Sequence, residues 1–133
     1  MAGIIVPFLD KRSFEFSYLG TTQDVVIHPG LDVSNFYRVR AVIRVHQLTA
    51  TTGNFTFKFQ HTAASDQDPQ EFTLTSDFMT SSAINSGVSA PTLVTVAQTD
   101  PYSHLKIILR ATQSTPGDTL YGEFSAFLIL RET

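Results

Sequence analysis

The chain alternates between apolar and polar positions over long stretches. From Phe36 to Leu48, Tyr37, Val39, Ala41, Ile43 and Val45 take every second place, between Arg38, Arg40, Val42, Arg44 and His46. A period of two sends successive side chains to opposite faces of a pleated strand and does not suit a helix. The turn Ala50-Thr51-Thr52-Gly53-Asn54 follows, and the alternation resumes with Phe55, Phe57 and Phe59 against Thr56, Lys58 and Gln60. Two such runs across a short glycine-containing turn predict a hairpin over Phe36–His61.

A second hairpin is predicted over Tyr102–Arg131. Leu105, Ile107, Leu109 and Ala111 alternate with His104, Lys106, Ile108 and Arg110, and Ser114-Thr115-Pro116-Gly117-Asp118 makes the turn. Pro116 presets φ at the first central position, and Gly117 supplies the positive φ that a type II turn needs at the second. In the returning strand, Leu120 to Arg131, both faces carry apolar side chains: Gly122, Phe124, Ala126, Leu128 and Leu130 on one, Phe127 and Ile129 on the other. Such a strand is expected to be central in its sheet, or covered on its outer face.

Shorter strands are expected at Phe14–Tyr18, Asp24–His28, Glu71–Thr75 and Thr92–Ala97, and a short strand or one helical turn within Asp77–Ser89. His28-Pro29-Gly30 and Asp100-Pro101 read as breaks between elements. The sum is about eight strands with no sustained helical period, the pattern of an all-β fold: a two-sheet antiparallel β-sandwich of jelly-roll type. Residues 1–12 read as an extended N-terminal arm and residues 13–133 as one sandwich domain. Ile4, Ile5, Val6, Phe8 and Leu9 make the arm too apolar for water, and suit strand addition or groove docking on a neighbour.

Composition narrows the function. The 133 residues contain no cysteine, so disulfides and thiolate metal sites are excluded. Charged residues are 16% of the chain, and the net charge of -3 gives no basic footprint for nucleic acid. No apolar run reaches the length of a membrane span. The N-terminus lacks the basic start and long apolar stretch of a secretory signal, so synthesis in the cytoplasm is expected.

Candidate chemistry is sparse. Arg38, Arg40, Arg44 and His46 share one side of a strand, Lys58 the polar side of its hairpin partner, and His104, Lys106 and Arg110 the polar side of the C-terminal hairpin. In a common sheet these would form one basic outer face, either solvated and paired with acids such as Glu123 or turned to an acidic partner. The histidines His28, His46, His61 and His104 show no metal-ligand spacing, although His46 and His61 flank one hairpin and can approach in space. The acidic stretch Ser65-Asp66-Gln67-Asp68-Pro69-Gln70-Glu71 lacks the glycine and distal glutamate of a calcium loop. No nucleophile elbow, paired carboxylates or phosphate loop can be nominated, so no enzyme, cofactor or metal is expected. A sugar site would need an exposed aromatic platform. There is no tryptophan, and of Tyr18, Tyr37, Tyr102 and Tyr121 the alternation turns Tyr37 inward.

The segments Arg38 to Gly53 (RVRAVIRVHQLTATTG) and Phe57 to Ala63 (FKFQHTA), with the ending Tyr102 to Arg110 (YSHLKIILR) and its final apolar strand, carry a resemblance. Over roughly the last hundred residues the strand–turn rhythm resembles small β-sandwich proteins among the structural genes of tailed bacteriophages and related prophage or gene-transfer particles. That resemblance implies a non-enzymatic virion protein, a head decoration or head–tail accessory, whose partners are other copies of itself and particle proteins such as the major capsid protein. A carbohydrate-binding or receptor-binding module is the alternative that the sandwich itself allows.

Overall fold

The structure is a computed structural model that describes residues 3–17, 22–62, 76–101, 103–113, 115–117 and 119–132. Eight strands follow in chain order: β1 (Gly3–Phe16), β2 (Thr22–Asp32), β3 (Arg38–Ala50), β4 (Asn54–Thr62), β5 (Ser76–Thr80), β6 (Thr92–Thr99), β7 (His104–Thr112) and β8 (Leu120–Arg131). They form two antiparallel four-stranded sheets, a front sheet in the order β1-β8-β3-β6 and a back sheet in the order β2-β7-β4-β5. The interleaving of late strands between early ones is the jelly-roll arrangement.

The expected strands that fall on described residues are present, but the two expected hairpins are not hairpins. β3 and β4 lie in different sheets, and so do β7 and β8. The physical reason is that both sheets bury their inner faces in one core. A period of two says which residues face that core and is silent on which sheet carries them. A short connection can cross from sheet to sheet as readily as it can turn within one. Gly53 marks such a crossing: a Cβ there would stand 2.8 Å from the Thr112 carbonyl oxygen, so the link after β3 can lie this close to the end of β7 only without a side chain. The second crossing keeps its predicted turn chemistry, with φ of +83° at Gly117.

Phenylalanines join the sheets. Phe124 of the front sheet meets Phe55 and Phe57 of the back sheet edge-on, at centroid separations of 5.2 and 5.4 Å. This geometry sets the positive edge of one ring against the negative face of the next. Phe55, Phe57, Phe59 and Phe124 are fully buried, with Ile43, Ile107, Leu109, Leu128 and Leu130 around them.

Two further expectations change, and a third resolves to one of its two alternatives. From residue 3 on, the N-terminal arm is the first part of β1, paired with β8 of its own chain from Gly3↔Arg131 to Phe16↔Leu120. Its apolar residues explain why: a register shift between Pro7 and Leu9 brings Phe8 against Phe57 and Phe59 and buries Leu9 in the core. The presumed break at His28-Pro29-Gly30 lies inside β2, where the register shifts on either side of His28 and the Gly30 N–H donates to His28 Nδ1 at 3.1 Å. Asp77–Ser89 holds β5 and an isolated bridge between Ile84 and Phe55, not a helical turn. The expected strand at Glu71–Thr75 lies outside the described residues, as do Tyr18, Tyr102 and the acidic stretch Ser65–Glu71.

Candidate functional site

With the core closed, what the chain offers is its two outer faces. The basic residues expected on one face are divided between them. Arg38, Arg40 and Arg44 stand on the front face, whereas Lys58, Lys106 and Arg110 stand on the back. The division follows from the two sheet crossings, because β3 cannot share an outer face with β4 or β7.

On the back face, two of the three basic residues, Arg110 and Lys58, are matched by an acid. Strand register sets Asp24 beside Arg110. The guanidinium donates to both carboxylate oxygens, Nε to Oδ1 at 2.7 Å and Nη2 to Oδ2 at 3.0 Å. This planar two-point pairing suits arginine and not lysine. It holds the Asp24 carboxyl below its ordinary value against the opposing effect of burial, and raises Arg110 in turn. Lys58 Nζ lies 3.1 Å from Asp77 Oδ2, and Gln60 donates to the same carboxylate. Burial would push Asp77 up, but the bonds from Lys58 and Gln60 and the nearby charges of Lys58 and Arg110 outweigh it and lower its pKa. Val26 is the one large apolar residue exposed on this sheet among those described.

On the front face, arginines and apolar side chains are mixed, and among the described residues these arginines make no ion pair. Outward positions on β3 are Arg38, Arg40, Val42 and Arg44, and on β8 Phe127, Ile129 and Arg131. β1 adds Ile5 beside Ile129, and β6 adds Leu93 beside Arg44. Ile5 is 64% and Leu93 60% exposed, high values for large aliphatic side chains. Arg38, Arg40 and Arg131 line a cleft of about 380 Å3 with Ala97, Gln98, Thr99 and Ile129. Arg38 and Arg131 are direct cross-strand partners. Neither they nor Arg40 and Arg44 make an ion pair among the described residues, where the two pairs found are those of the back face.

Farther along the front face, β8 is flanked by two irregularities. β1 shifts register between Leu9 and Arg12, where Lys11 takes φ of 49°, and β3 shifts between Val45 and Gln47. Ser125 Oγ fastens both: it accepts the Lys11 N–H at 3.0 Å and lies 2.7 Å from His46 Nε2. A bulge leaves backbone groups off the ladder, and the hydroxyl takes one of them. Ser and His in contact suggest hydrolytic chemistry. Here the hydroxyl is engaged by backbone, and among the described residues the histidine donates no hydrogen bond to a carboxylate that would orient it, as a nucleophilic triad requires. Glu123, proposed from sequence as a partner for the basic residues, instead accepts from Ser13 Oγ at 3.3 Å.

Of the apolar arm residues, Val6, Phe8 and Leu9 pack on the core, while Ile4 and Ile5 stay exposed. Tyr37, expected to point inward, is 47% exposed: it precedes β3, and its backbone bonds Arg131 and Asp100 instead of continuing the buried alternation. His46 and His61 do not approach. They lie in opposite sheets, and the His61 ring packs on Phe78 at 5.0 Å. Among the described residues no three His, Asp or Glu side chains gather as metal ligands, and no helix is long and apolar enough to cross a membrane. Sequence reasoning missed Arg131, although the alternation of β8 already sets it on the side of Phe127 and Ile129. It also missed Asp24, Asp77 and Ser125 as partners, which only strand order reveals.

No family model matches the chain, and no curated protein matches it. Solved structures do. That of the infectious bursal disease virus Gx strain superposes with a TM-score of 0.66 at 10% identity, over 97% of this chain and 31% of that one. The VP2 subviral particle of the same virus gives 0.61 at 12% identity, over 97% and 32%. Its derived T=1 particles give 0.59 at 11% identity, over 98% and 31%. The chain thus spans about a third of the length of the proteins it matches. These structures come from infectious bursal disease virus and not from a tailed bacteriophage, and what this chain shares with them is the eight-stranded β-sandwich itself.

Proposed function

We propose that the chain is a non-enzymatic structural component of a virus-like particle, held in place by protein–protein contacts through its front face. The observation that carries this reading is the exposure of Ile5 and Leu93 on a face that also bears Arg38, Arg40, Arg44 and Arg131 without acidic partners among the described residues. Arginine and large apolar side chains are what interface centres collect, and lysine and acids are what they shed. The likeness in fold to virus-particle proteins supports the same reading, although one fold hosts many functions. Head decoration or head–tail accessory service in a phage-like particle, with the major capsid protein as neighbour, is its narrower form. The edge strand β1 offers a second contact, by strand addition, tempered by Pro7 and the bulges along it.

Light scattering and negative-stain microscopy of the purified chain, alone and mixed with particle proteins, test the proposal. Association is expected, and Leu93→Glu should reduce it while Thr56→Glu on the back face leaves it unchanged. A chain that stays monomeric at all concentrations and joins no particle protein would overturn it. Saturable glycan binding centred on exposed Tyr37 would favour the carbohydrate-binding alternative instead.

A further inference from the structure

The front-face cleft contains an arrangement that a free protein surface has no reason to keep. Arg38 and Arg131 stand directly opposite each other on β3 and β8, and Arg40 follows two residues on, beside Ile129. Like charges directly opposite on a sheet destabilise it. The carboxylates nearest in sequence, Asp100 and Glu132, make no ion pair with these arginines. An anion between the guanidinium groups would turn the repulsion into attraction. The back face shows what compensation looks like in this chain, in the two-point bond from Arg110 to Asp24.

Resting on the reading of the front face as a contact surface, we propose that the Arg38–Arg40–Arg131 cleft recognises the carboxylates of an acidic segment on a partner protein. Three features favour a protein over nucleic acid. The cationic groups of the cleft are all arginine, whose planar fork matches a carboxylate at two points, whereas Lys58 and Lys106 lie on the other side of the sandwich. The cleft is floored by Ile129 and Ala97 and continues toward Ile5, so it offers apolar contact beside the charges. Nucleic-acid interfaces are more uniformly basic and polar, and the net charge of -3 repels a long polyanion at distance.

Fluorescence anisotropy decides between them, with a labelled oligoglutamate peptide and with labelled single- and double-stranded DNA, at low and at physiological salt. The chain is kept at concentrations where light scattering finds it dispersed. Saturable binding of the peptide is expected, weakened about tenfold by Arg40→Gln and by Arg131→Gln, since each removes a charge-assisted pair. Arg110→Gln should leave it unchanged. The melting temperature of Arg131→Gln should be no lower than that of the parent chain, because the substitution removes a like-charge pair, and so its loss of binding cannot be a loss of fold. No saturable peptide binding, an equal loss with Arg110→Gln, or tighter binding of DNA than of peptide would each overturn the proposal. A chain that assembles yet ignores the peptide defeats this inference alone. A chain that binds the peptide yet never associates with itself or a particle protein defeats the particle reading and leaves the cleft standing.

Discussion

The two outer faces of the sandwich are built on the same plan and finished differently. Each belongs to a four-stranded antiparallel sheet and each carries basic side chains on a central strand. On the back face Arg110 and Lys58 find Asp24 and Asp77, so each of the four strands β2, β7, β4 and β5 contributes one member to the two pairs. On the front face four arginines stand among Ile5, Val42, Leu93, Phe127 and Ile129. A face whose main charges are matched internally needs no partner to neutralise them. On the reading proposed above, a face with unmatched arginines and exposed aliphatics is completed by a neighbouring protein. The contrast teaches that the number of charges on a sheet says little, and that their pairing distinguishes its two sides.

Substitutions can break or sharpen that contrast. The largest effect should fall on neither face but on the core they share: Phe124→Ala removes the ring that touches Phe55 and Phe57, at a cost of about 3–5 kcal/mol. Calorimetry should still find one transition. Two transitions, one of them unmoved, would mean that the sheets are separate units and that comparing their faces has no common baseline.

Next comes the same change made on both sides. Arg110→Ala should lower stability by roughly 0.5–1 kcal/mol, the scale of a well-aligned but partly exposed ion pair. Arg40→Ala should change it by less than about 0.5 kcal/mol. Urea unfolding midpoints measure the two. Equal costs would erase the distinction between a matched and an unmatched face.

The smallest effect is the response to acid. Asp24 and Asp77 lie below the ordinary carboxylate value of 3.8 in the folded chain. As pH falls through that range the unfolded chain binds more protons than the folded one, so their stabilisation, complete at higher pH, is lost. His61 acts in the same direction at higher pH: burial lowers it from 6.5, so protonation favours the unfolded chain as pH falls below that value. Stability measured across these ranges should decline in two stages. In Arg110→Ala the lower stage should shrink, and in Arg40→Ala it should match the parent; an unchanged lower stage in Arg110→Ala would remove Asp24 as its source.

Much of this molecule is written in the alternation of its residues. β8 was legible to its ends, including its central place, because Phe127 and Ile129 make its outer face apolar as well. β3, β4, β6 and β7 were legible within two or three residues. The pairing of strands was not. Val39, Ile43 and Phe57 look the same to a periodicity whether they approach the core from the front or the back, so two sheet crossings read as two hairpins. The error passed directly to the surface, where one basic face became two. It also hid the contrast between them, since Asp24 meets Arg110 across 86 positions of sequence. The N-terminal residues misled for a related reason: an apolar edge strand and an apolar docking arm share a composition, and only the β8 register separates them.

The strand order also bears on how the chain reaches this structure. β8 stands between β1 and β3, and β7 between β2 and β4, so each sheet is bridged by a strand that comes after all those it joins. Until those last segments are made, the front sheet has no link from β1 to β3 and the back sheet none from β2 to β4. Pairings between distant parts of a chain form slowly, because loop closure precedes the contacts that reward it. A growing chain therefore carries the phenylalanines of β4 in the open until β7 and β8 arrive, and folding of the sandwich waits for those two strands.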